Sequence, residues 1–193
     1  MEWLYKNWAK ICIFIAFYVF LLLFLFRPDI DKILFLIWLQ VPIYLLHQFE
    51  EHAIPGGFKD FVNKKVFKIL DGNYPLNDMS IFWINIPIVW VLMPLFAALS
   101  HVNLQFGLWL PYFSIINSTI HVIAFLRFKT YNPGLMVSLF LNIPVGIYAI
   151  IMFYQADLIT NFINISAIAI SILLHLIIIM YMRSAIKRER GSI

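Results

Sequence analysis

Six long apolar runs separated by short polar segments dominate this chain, at about 11–26, 33–52, 81–99, 106–126, 134–154 and 158–182. A helix that crosses a hydrocarbon layer needs roughly 20 mostly apolar residues, and each run is close to that length. The pattern predicts an all-α polytopic bundle of six transmembrane helices forming a single transmembrane domain over 1–193. The first run follows Lys6 and Lys10 but enters Leu25-Phe26-Arg27-Pro28 without a small-residue cleavage site, so a retained helix is expected there and not a signal peptide.

The longest segment between runs, 53–80, opens with Ile54-Pro55-Gly56-Gly57 and closes with Asp71-Gly72-Asn73-Tyr74-Pro75, both helix breakers. Between them Phe58, Phe61, Val62, Val66, Phe67, Ile69 and Leu70 alternate with Lys59, Asp60, Asn63, Lys64, Lys65 and Lys68 at near-helical spacing. An interfacial helix between spans 2 and 3 is expected, either a plain connector or a cover over whatever lies beneath it. Pro42, Pro87, Pro94, Pro111 and Pro144 fall within the runs, where neighbouring helices can satisfy the backbone groups they free. No internal repeat is evident.

Composition agrees with the pattern, with 63% hydrophobic and 12% charged residues over 193 positions, outside the range of soluble domains. With both termini cytoplasmic, twelve of the fourteen Lys and Arg residues lie on the cytoplasmic side and only Arg27 and Lys32 lie opposite. The expected location is a cell membrane, most naturally a prokaryotic cytoplasmic membrane. The formal charge of +4 then reflects topology and attraction to lipid headgroups; membrane lipids are expected partners and nucleic acid is not. Cys12 is the single cysteine, which excludes a disulfide framework and a thiolate metal site.

Candidate chemistry is concentrated in His47-Gln48-Phe49-Glu50-Glu51-His52, at the end of the second run. On a helix, His47, Glu50 and Glu51 stand at i, i+3 and i+4 and share a face. Ionisable groups inside a membrane segment point to function. The alternating topology also brings His121 and His175 to the depth of His47, about 9–12 Å inside the cytoplasmic boundary at a 1.5 Å rise per residue. His47, Glu51, His121 and His175 are therefore the candidate metal ligands, for a divalent ion such as zinc or iron. Glu50 is the candidate general base, and Asn117, one turn before His121, the candidate substrate-orienting or ring-orienting group. Spacing alone leaves open which of Glu50 and Glu51 is ligand and which is base. His52 follows the carboxylates and is open to three readings, a further ligand, a partner of the ligands or an interfacial residue, and His101 falls in an external segment. The spacing of His47-x-x-Glu50-Glu51 is similar to the inverted zinc-peptidase signature, but Glu51 replaces its last histidine, so peptidase activity does not follow.

Taken with Asn117-Ser118-Thr119-Ile120-His121 and Tyr131-Asn132-Pro133-Gly134-Leu135, the first motif resembles the HXXEE-domain family of small prokaryotic integral membrane proteins. The resemblance covers nearly the whole chain and implies a metal-binding or enzymatic role without an assigned reaction. The segment Tyr131–Gly134 is expected to be a turn between spans 4 and 5, or to close over the cytoplasmic mouth of the site. The leading expectation is a membrane-embedded, metal-dependent hydrolase acting on a lipid or lipid-linked substrate from the cytoplasmic leaflet. Two alternatives use the same cluster: a non-haem iron oxygenase or desaturase, and a proton or metal-ion transporter or binding protein.

Overall fold

The computed structural model describes residues 1–69 and 75–190, with the side chains of 188–190 left aside. The expected breaker Asp71-Gly72-Asn73-Tyr74, with Leu70 before it, lies outside the described residues. Helices make up the described chain, without a strand among them: α1 Glu2–Leu25, α2 Lys32–His52, the short α3 Phe58–Asp60, α4 Asp78–Leu99, α5 Trp109–Phe128, α6 Leu135–Gln155 and α7 Asn161–Arg190. All but α3 are long and apolar enough to span a membrane. The predicted spans map onto them one for one.

Local chemistry sets the ends. The Asp31 carboxylate accepts from the amides of Ile33 and Leu34 and starts α2. A reciprocal pair between Asn77 and Ser80 opens α4. Lys129, in the left-handed conformation at φ 52°, stops α5. The first helix begins at Glu2 and not near residue 11, because its polar first turns are tied locally: Asn7 donates to the Trp3 carbonyl and Lys10 to Asn7. Pro87 and Pro144 border wide π-type turns over Ile86–Leu92 and Ser138–Asn142, where the backbone adjusts its pairing around a missing N–H.

The second helix is the inner element. Of its apolar window 72% is buried, against 28% for α1 and 17% for α7, and it packs against α1, α4, α5 and α6. The outer helices instead present Phe14, Phe17, Leu21, Phe162, Leu173 and Ile177 outward, the apolar surface a lipid environment requires. Gln48, fully buried in α2, ties three helices together: it donates to Asn85 of α4 and accepts from Trp90 of α4 and Cys12 of α1.

The segment after α2 matches its expected amphipathic character and is docked onto the bundle. It continues from α3 into a π-type turn over Phe61–Val66. There Asn63, 2% exposed, donates to the Leu76 carbonyl and accepts from the Leu76 amide. Lys59 pairs with Asp78 at 2.7 Å and fastens the segment to the start of α4.

Candidate metal centre

The last turn of α2 sends its polar residues in different directions. Glu51, one turn after His47, places Oε1 3.5 Å from His47 Nε2 and 3.2 Å from His121 Nε2 of α5. The two imidazoles stand edge to face, centroids 4.8 Å apart. Among the described residues this is the group able to hold a metal ion, its three ligand atoms all within 4.8 Å of one another, and all three residues are buried.

The proton positions around His121 follow from hydrogen-bond logic. Asn132 Nδ2 donates to the His121 carbonyl at 3.0 Å, which fixes the orientation of the amide. Asn132 Oδ1 therefore faces His121 Nδ1 at 2.6 Å, and only an N–H on Nδ1 can satisfy it. In the neutral ring Nε2 is then a bare lone pair aimed at the Glu51 carboxylate. Two acceptors in contact in a buried site repel unless a proton or a metal ion lies between them. His47 is held differently: the Asn117 amide nitrogen lies 2.9 Å from Nε2, the nitrogen that also faces Glu51, and Ser138 Oγ lies 3.5 Å from Nδ1 on the other side of the ring. Two imidazoles and one carboxylate oxygen form a donor set suited to zinc or iron, with His121 oriented through its Nδ1 and an ion at His47 Nε2 displacing the Asn117 amide from it.

Glu50 does something else. Its Oε1 accepts from the Tyr131 hydroxyl at 2.7 Å and the Met136 amide at 2.9 Å, and its Oε2 accepts from the Val137 amide at 2.8 Å. These amides belong to the first turn of α6, whose N-cap position is Gly134 and offers no side chain. A carboxylate from α2 thus caps α6 and complements its dipole. Both oxygens are engaged away from His47 and His121, so the general-base role expected for Glu50 is replaced by an anchoring role. Burial and the Glu50 carboxylate push the Tyr131 phenol above its ordinary pKa, so it remains a donor.

The remaining candidates separate clearly. His175 is buried on α7, but its Nδ1 is 2.7 Å from the Ser171 carbonyl and its ring packs on Phe113; it does not belong to the three-residue group. His52 reaches Glu51 Oε2 at 3.5 Å and packs against Trp8 and Phe58, outside the three-residue group. His101 bonds Trp38 near the opposite helix ends.

The Tyr131–Gly134 segment is the expected turn between α5 and α6, and it packs against the centre. Asn132, held out of helical conformation by the following proline, orients His121. Gly134 has φ +96°, and a Cβ there would meet His121 Cε1 and His47 Cε1 at 2.7 Å and Glu51 Cγ at 2.9 Å. The backbone of the turn is pressed against the centre. An Asn-Pro-Gly sequence at a helix junction signals such a turn, but not what it rests on.

Two cavities meet at the centre. One, of about 420 Å³, is mostly apolar, lined by Phe61, Val89, Phe113, Ile178 and Met182 together with Glu51, His121 and Asn117. The other, of about 370 Å³, is lined by polar groups including Lys6, Lys59, Asp60 and Asp78. They share Glu51, His52, Phe58 and Ile81. Phe58 of the docked segment packs 5.7 Å from the His121 ring, between the two.

No curated protein and no solved structure matches the chain. The family model described as a protein of unknown function with HXXEE motif matches residues 38–149, from α2 into α6. That stretch is more than half of the chain and contains the group able to hold a metal ion, the residues that orient it and the Glu50 anchor, so the chain belongs to the HXXEE family.

Proposed function

We propose that the protein is a membrane-embedded, metal-dependent hydrolase whose substrate is a lipid or lipid-linked ester or amide. The observation that carries this reading is the convergence of His47 Nε2, His121 Nε2 and Glu51 Oε1 where a polar and an apolar cavity meet. Three protein ligands with a further position open to a cavity is the pattern of catalytic zinc, whereas structural sites are closed by four. A bound zinc ion would supply Lewis-acid polarisation and an acidified water.

The chain's own residues divide the remaining work. His47, His121 and Glu51 hold the ion, with Asn132 and Ser138 fixing the ring orientations. Asn117, which reaches both His47 and the apolar cavity, orients the bond to be cleaved. The apolar cavity accepts a hydrocarbon chain, and the polar cavity admits water and a headgroup. Lys59, Lys64, Lys65, Arg127, Lys129 and Arg183 cluster in sequence around the helix ends nearest the centre, which supports entry from the cytoplasmic leaflet.

Elemental analysis of detergent-purified protein beside hydrolysis of a panel of long-chain esters and amides tests the proposal. The expected result is about one zinc per chain with hydrolysis, both lost in His121→Ala; metal-free wild type, or zinc without turnover of any panel member, overturns it. The two-histidine, one-carboxylate donor set also favours a second reading, a non-haem iron oxygenase, for which iron and substrate-dependent oxygen uptake are the signature.

A further inference from the structure

His175 is the buried ionisable residue that the metal centre leaves unused. It is 7% exposed, sits on α7, and lines the apolar cavity. Its Nδ1 lies 2.7 Å from the Ser171 carbonyl. A carbonyl only accepts, so Nδ1 carries the proton and Nε2 is an acceptor. Nε2 is buried and has no hydrogen-bond partner among the described residues. Buried acceptors are normally paired, and this one stands among Phe113, Ile178, Ile179 and Met182. The same cavity carries Glu51 and His121. A run of tilted ring contacts, His175 to Phe113 at 4.7 Å, Phe113 to Tyr44 at 5.3 Å and Tyr44 to His47 at 5.2 Å between centroids, links it to the centre.

We propose that His175 is a recognition residue for the cavity's occupant: an amphiphile with a hydroxyl or amide N–H set into its otherwise apolar body, which donates a hydrogen bond to Nε2. The chemistry is asymmetric. A ligand with such a donor meets the unpaired acceptor, whereas one carrying only acceptors or hydrocarbon leaves it unpaired. A site built this way discriminates against the analogue that lacks the donor. The inference rests on the reading of this cavity as a lipid site but not on hydrolysis.

The test is equilibrium binding of three ligands that share one hydrocarbon chain, oleyl alcohol, oleamide and methyl oleate, to the full-length protein in nanodiscs, followed by intrinsic tryptophan fluorescence. In wild type, the alcohol, the amide or both bind about three- to tenfold more tightly than the methyl ester, the range of one neutral hydrogen bond. Which of the two leads identifies the donor as O–H or N–H. His175→Phe, which keeps the ring packing on Phe113, retains methyl ester binding and loses the preference; His175→Gln, with an amide acceptor, keeps part of it. Equal binding of all three ligands to wild type, or an undiminished preference in folded His175→Phe, overturns the proposal. Failure of all three to bind overturns it together with the lipid reading of the cavity. A preference that depends on His175 in a protein that hydrolyses nothing sustains it while removing the hydrolase.

Discussion

Asn132 holds His121 by both ends of its amide, donating to the backbone carbonyl at 3.0 Å and accepting from Nδ1 at 2.6 Å. The turn therefore dictates which imidazole nitrogen faces Glu51. Asn132→Leu removes that control without touching a proposed ligand. Metal affinity is expected to fall about 10- to 100-fold, the usual cost of losing such an orienting partner, as read by titration against a competing chelator. Unchanged affinity would mean that helix packing alone orients His121.

The two adjacent glutamates are expected to fail in different ways. Glu50→Gln places an amide NH2 against donors, the Tyr131 hydroxyl and the Met136 and Val137 amides. It should lower stability by about 1–3 kcal/mol while metal content stays near wild type. Glu51→Gln should lose metal. Thermal unfolding and elemental analysis of the two variants distinguish an anchor from a ligand, and the opposite pattern would refute the assignment.

Gly134→Ala probes the contact between turn and centre. The new methyl group would lie 2.7 Å from both imidazoles, and the φ of +96° costs a non-glycine residue a further 1 kcal/mol or more, about the penalty of left-handed backbone. Loss of metal with helix content retained is the expected outcome, measured by elemental analysis beside circular dichroism. Retained metal would show that the turn can lift away.

Binding a ligand to the folded state alone raises stability by RT ln(1 + [L]/Kd), about 2.7 kcal/mol at a hundredfold excess over Kd. Zinc added to chelator-treated wild type should therefore raise the unfolding temperature, and His47→Ala or His121→Ala should not respond. An equal rise in both variants would indicate zinc binding elsewhere.

The fold was legible because each span is a long apolar run, and a membrane accepts few other ways of satisfying a backbone. Half of the centre was legible too. The i, i+4 spacing put His47 and Glu51 on one face, and depth brought His121 to their level. Depth says nothing about direction around the bundle, and His175 lies outside the three-residue group although it lines the same apolar cavity. Successive residues on a helix point about 100° apart, enough for Glu50 to turn to α6 while Glu51 turns to α5. Gly134 and Asn132 were present in a motif, but their contacts with His47, His121 and Glu51 exist only after α5 and α6 have packed onto α2.

That dependence reaches back to synthesis. The Tyr131 hydroxyl that Glu50 binds lies 81 residues further along the chain, and the two amides it caps lie 86 and 87 residues further. When α2 emerges from the ribosome, its polar end has none of these partners, and a lone carboxylate pair is costly in hydrocarbon. Neither the cap on α6 nor the centre can therefore form while α2 stands alone, and both are completed only when α5 and α6 have been made and packed against it.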